Sequence, residues 1–125
     1  MNAQQPRRDV FEALLRTAHS NPDAPPALRW NWLEAAHVVG QPDFRLHLRS
    51  HQAMLGLAWH TRDLREAAGQ VFRLVLVPLG HLLNRLPAGN TGRSRISAFR
   101  PMPVRPEIRR LIEVARATAS PSPKT

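Results

Sequence analysis

The stretch Glu34-Ala35-Ala36-His37-Val38-Val39-Gly40-Gln41-Pro42-Asp43-Phe44-Arg45-Leu46-His47-Leu48-Arg49-Ser50-His51 sets two pairs of metal-ligand residue types on either side of one turn. Glu34 and His37 form Glu-x-x-His; His47 and His51 form His-x-x-x-His. Each spacing puts both members on one face of a helix. Gly40 suits the position just past a helix end, Pro42 cannot continue that helix, and Asp43 can cap the next one. His37 and His47 each lie five residues from Pro42, with Glu34 eight before it and His51 nine after it. In an antiparallel helix hairpin, equal distance from the turn means equal height. The four side chains are therefore expected to converge, provided both pairs face the partner helix.

Outward from the hairpin the chain reads as helical. Val10, Leu14, Leu15 and Ala18 recur at helical spacing and predict a helix from Asp9 to about Ala18. Residues 21–26 form a Pro-containing loop, and the next helix runs from Pro26 to Val39. The third helix runs from the Asp43 cap to His60, with Phe44, Leu48, Leu55 and Trp59 as an apolar stripe. His47 and His51 flank that stripe, and His60 lies on the opposite, Arg-lined face. Asp63 with Glu66 resembles a capping box for a fourth helix reaching Val77, where Pro78 kinks or ends it. Prolines 101, 103 and 106 favour extended backbone, and a last helix is predicted from Pro106 to Ala117. The fold expected is all-α: a small helical bundle built on a repeat-like helix hairpin, wrapped by an extended Pro-rich C-terminal segment. Residues 1–119 form one domain and 120–125 a disordered tail.

Composition narrows the chemistry. The chain has 125 residues and no cysteine, which removes disulfides, thiolate ligands and a Cys nucleophile. Any metal must be held by imidazole, carboxylate or carbonyl groups. The net charge is +9 with 18 basic residues, of which Lys124 alone is Lys. Such a balance attracts anionic partners. The Arg residues are spread along the chain, however, and Phe99 is the one aromatic among those of the Pro-rich segment, so the stacking platform of an RNA binder is missing. No secretory signal is visible at the N-terminus, and the apolar run from Val71 to Leu86 is too short to span a bilayer. The expectation is a cytoplasmic protein without a membrane segment.

Glu34-Ala35-Ala36-His37, Gly40-Gln41, His47-x-x-x-His51, Met54-Leu55, Gly69-Gln70, Asn90-Thr91-Gly92 and Ser97-Ala98-Phe99-Arg100-Pro101-Met102-Pro103 together resemble a family of small bacterial proteins catalogued as domain of unknown function 3703. The resemblance covers roughly Leu28 to Pro106. It implies that the His-bearing hairpin and the Asn-Thr-Gly loop belong to one shared architecture, and it supplies no reaction.

The leading functional expectation is a metal-binding protein. Glu34, His37, His47 and His51 would hold one transition metal ion per chain, iron or zinc by ligand type, with manganese or copper as further options. Water or a small-molecule substrate would take an open position, which admits a metal-dependent oxidoreductase or hydrolase. The competing reading of the same residues is a hydrogen-bonded network, Glu34 with His51 and His37 with a carbonyl near the turn. A coupled two-metal centre needs two Glu-x-x-His motifs and the chain has one, so a mononuclear site within one hairpin is expected, with a homodimer left open. The loop at Asn90, Thr91, Arg93 and Arg95 is a weaker anion-binding candidate. The alternative function is an Arg-rich interaction module binding nucleic acid or another anionic partner through Arg93, Arg95, Arg100 and Arg105.

Overall fold

The computed structural model describes residues 4–83 and 103–119. It contains α1 (Gln4–Ser20), α2 (Pro26–Gly40), α3 (Phe44–His60), α4 (Leu64–Leu83) and α5 (Pro106–Ala119), with no strand among the described residues. The protein is a small all-α bundle. Its central pair is the hairpin of α2 and α3. The first and last helices close on one side of it, α1 and α5 packing on each other and on α2. On the other side, among the described residues, α4 packs on α3 alone.

Local chemistry sets the boundaries. Pro26 opens α2, where a missing N–H costs nothing. Asp43 caps α3, its Oδ1 accepting from the backbone N–H of Arg45 and Leu46 at 3.0 and 3.1 Å. Arg62 ends the α3 turn at φ 59°, while Asp63 N–H bonds back to Ala58 O at 2.9 Å. Asp63 Oδ1 then accepts from Glu66 N–H at 3.1 Å and starts α4.

Several expectations need correction. α1 begins at Gln4 rather than Asp9, because Pro6 sits in the first turn where proline is tolerated, and Gln5 Nε2 donates to Asp9 Oδ1 at 3.0 Å. At Pro78, where the sequence allows a kink, an end or a further turn or two, α4 continues to Leu83. Its last turn is held to α3 by His81, which meets the ring of Phe44 edge-on. Gly40 is not a left-handed residue past the helix end. It is the last residue of α2, and Gln41 follows in right-handed helical conformation. Glycine is required there by space: a Cβ would sit 2.9 Å from Leu46 Cβ and 3.0 Å from Phe11 Cδ2. The apolar stripe assigned to α3 is only partly core, since Phe44 and Trp59 are exposed at its two ends.

The core is apolar where α1, α2, α3 and α5 meet, around Phe11, Leu14, Ala35, Leu46, Met54 and Ile108. Arg49 pairs with Glu12 of α1 and lies over the Phe11 ring at 5.2 Å from its centroid.

Candidate metal centre

His37, His47 and His51 come together between α2 and α3, at 2, 6 and 2 % exposure. Each offers a ring nitrogen, and the three nitrogens lie within 4.8 Å of one another. Three of the four side chains set at matching heights about the turn thus converge. His47 Nε2 is 3.1 Å from His37 Nε2 and 3.3 Å from His51 Nε2. For comparison, bonds of ~2.0–2.1 Å at tetrahedral angles put ligand nitrogens about 3.3 Å apart.

Glu34 does not belong to this group. It is buried, and its Oε2 accepts from Arg105 Nη2, the guanidinium that precedes α5. Arg105 also lies 3.4 Å from Glu107. Sequence spacing treated Glu34 as a ligand and Arg105 as free to bind an external anion; the two neutralise each other instead. The competing network is also altered in detail, since Glu34 meets Arg105 and His37 meets His47. Asn90, Thr91, Arg93, Arg95 and Arg100 lie outside the described residues, as does the tail from 120 to 125. His60 is exposed, as expected.

α4 supplies the surroundings of the histidines. His51 Nδ1 is 2.7 Å from Gln70 Oε1, and Gln70 Nε2 donates to Glu66 Oε1 at 3.2 Å. A carboxylate can only accept, so Glu66 fixes which way the Gln70 amide points. The amide oxygen then faces His51, whose single proton must sit on Nδ1. That leaves the Nε2 lone pair of His51 aimed at the other two rings. On the far side of His47, Nδ1 is 3.1 Å from Nε2 of the partly buried His81. By sequence alone Glu66 reads first as a capping residue and second as a ligand or ligand support, His81 follows a Pro-Leu-Gly break that leaves its direction open, and Gln70 stands only in a family motif. A polar stripe at 66, 70, 73, then 81, recurring at helical steps along an otherwise apolar run, was the available signal.

Electrostatics keep His47 and His51 neutral near pH 7. Burial first, then the neighbouring His51, His81 and Arg73, lowers the His47 pKa to about 3. Burial also lowers His51 to about 4, against the opposing effect of its bond to Gln70 and with help from Arg73. Burial lowers His81 too, with Asp43 acting in the other direction. Arg73 is buried beside Glu66, which offsets part of the desolvation of its guanidinium.

A neutral imidazole carries one proton, and His51 brings none to the three-nitrogen cluster. Two contacts to His47 Nε2 then compete for at most one well-placed hydrogen bond. A cation held by the three nitrogens would remove that conflict, because each ring would then offer it a lone pair. Buried, neutral imidazoles with one ring nitrogen fixed by an amide are the form in which histidine binds a metal. The arrangement can hold a metal ion.

No helix of the described residues is long and apolar enough to cross a membrane. No curated protein and no solved structure matches the chain. Residues 5–112 match the family described as "Protein of unknown function (DUF3703)", and on that match the chain belongs to this family.

Proposed function

We propose that the protein binds one transition-metal ion per chain through the Nε2 atoms of His37, His47 and His51. The observation that carries this reading is the convergence of three buried nitrogens, one of them stripped of its proton by the Gln70 amide. Three imidazoles without a thiolate suit zinc or iron first, with copper and manganese as the alternatives to be loaded. Glu66 and Gln70 orient His51 from behind. Glu34, paired with Arg105, contributes a negative charge on α2 one helical turn from His37 rather than a ligand atom. Three protein ligands leave coordination positions for water or a small substrate, the arrangement found in catalytic rather than purely structural sites. This supports a metal-dependent hydrolase or oxidoreductase over a structural metal.

The test is metal content of untagged protein, measured by mass spectrometry after loading with zinc, iron, manganese or copper. One equivalent per chain is expected. His37→Ala and His51→Ala lose it, and His60→Ala keeps it. Gln70→Leu, which leaves the ligands in place, weakens affinity about 10–100-fold. Failure of all four metals to bind, or equal loss in the His60 variant, overturns the assignment.

A further inference from the structure

α4 is turned inside out. The side chains it directs at α3 follow the steps Glu66, Gln70, Arg73, Val77 and His81, and most are polar. The side chains it directs away are Leu64, Ala68, Phe72, Val75, Leu79 and Leu82, at steps of four and three, and all are exposed. Phe72, Val75 and Leu82 are 61, 70 and 80 % exposed. Between Arg65 and His81 the helix has two charged residues, Glu66 and Arg73, and both are buried. Its outer face thus has no charge, in a chain of net charge +9. A helix in water normally shows the reverse pattern, and an uninterrupted apolar stripe of this kind marks a surface that is covered.

We propose that this face is covered by the same face of a second copy of the chain, with the two α4 helices packed antiparallel about a twofold axis near Phe72 and Val75. Three observations select this occupant. The outer stripe advances mostly at alternating steps of four and three from Ala68 to Leu82, the spacing by which two helices interlock along a common seam. Five large apolar side chains stand in that row at 47–80 % exposure, Leu64, Phe72, Val75, Leu79 and Leu82, the kind of area that a standard stable interface of ~800 Å² per partner draws on. Charge agrees as well. The seam is uncharged, so two strongly basic chains meet there without like charges opposed, and antiparallel packing keeps the two copies of Arg65, at the start of each helix, at opposite ends. An isologous contact needs one surface only, complementary to itself, and this one is uniform along its length. The pairing is independent of the metal reading, although it would brace the helix that carries Gln70 and His81.

The experiment is solution mass of the full chain by light scattering and sedimentation at tens of micromolar. The expected mass is 28.2 kDa, twice the 14.1 kDa of one chain. Val75→Glu places a carboxylate on the seam at a residue already exposed within one chain. It should give a 14.1 kDa species with unchanged helix content. Val114→Glu, on the exposed face of α5, should remain dimeric. Because the chain has no cysteine, Val75→Cys should cross-link to itself on mild oxidation, and Val114→Cys should not. A parent protein that is monomeric overturns the proposal. That outcome includes a monomer which co-sediments with phosphatidylglycerol vesicles, and one in which Cys reagents are kept from position 75 by the chain's own remaining residues. A dimer broken by Val114→Glu and untouched by Val75→Glu overturns it equally.

Discussion

Between α1, α2 and α5 the buried side chains are Phe11, Leu14, Leu33, Ala35 and Ile108; between α3 and α4 they include Ser50, His51, Glu66, Gln70 and Arg73. The first seam is held by excluding water from hydrocarbon, and any side chain of similar size and shape would serve there. The second is held by a chain of hydrogen bonds and opposed charges, in which each group depends on the next. A polar seam stabilises less than an apolar one of equal volume, and it is severely damaged when one member is removed. A sequence selected only for stability would fill both seams with leucine. The contrast marks α3 and α4 as the half where local rules are broken, the half that carries the proposed metal centre.

Acid should separate the two seams most widely. His47 and His51 have folded-state pKa values of about 3 and 4, well below the ~6.5 of an unfolded histidine. Protons therefore bind the unfolded chain in preference. In metal-free protein the contribution of these groups is whole above pH ~6.5 and is lost progressively as the pH falls towards 4 and then 3. Thermal melts from pH 7 to 4 should show a steep loss of stability, and His47→Asn with His51→Gln should flatten that slope. A parent slope no steeper than the variant's would break the distinction between the seams.

The apolar seam should respond to volume and not to pH or chelator. Phe11→Ala, at a fully buried ring, is expected to cost ~3–5 kcal/mol in chemical denaturation, by the same amount with and without a chelator present. A chelator-dependent cost would mean that the two halves are not energetically separate.

Removing a partner in the polar half should be asymmetric. Arg105→Ala leaves the buried Glu34 carboxylate without the guanidinium that it now meets, at a cost of about 1–3 kcal/mol. Glu34→Gln releases a half-exposed Arg105 to water and should cost less, and adding Arg105→Ala to Glu34→Gln should cost less again. Equal costs for the two single variants would argue against burial of Glu34 as the cause.

The smallest effect lies at the junction where α3 passes to α4. Arg62 holds φ 59°, a left-handed conformation that glycine adopts freely. Arg62→Gly should raise stability by up to about 1 kcal/mol in urea titrations without altering metal content. A loss of stability would show that the arginine side chain is itself needed at that junction.

The helices and the hairpin were visible in the sequence because their signals are local. Asp43, Pro42 and the matched positions of His37 and His47 are all within a few residues of the turn. The three histidines could therefore be placed from spacing alone. Glu34 could not, because its partner Arg105 is 71 positions away and no periodicity connects them. Gln70 and His81 were passed over for a different reason. Their stripe lies in a strongly apolar run, where the reading assumes that the apolar side faces inward; α4 reverses that orientation. Gly40 was recognised as special, but for a conformational reason, when close approach of Phe11 and Leu46 is what demands it.

The ion pair between Glu34 and Arg105 also has a consequence in time. During synthesis the three histidines and Gln70 all precede Arg105, so the residues around the ring nitrogens are made before the partner of Glu34. The buried carboxylate on α2 must wait for residue 105, and the seal over α1 and α2 waits for α5. Until then Glu34 is a charge facing a partly formed interior, and hydrated, open conformations of α2 are favoured over closed ones. The last described helix thus acts as a late latch: the residues that gather at the ring nitrogens precede it in the chain, and the charge on α2 is matched only when Arg105 arrives.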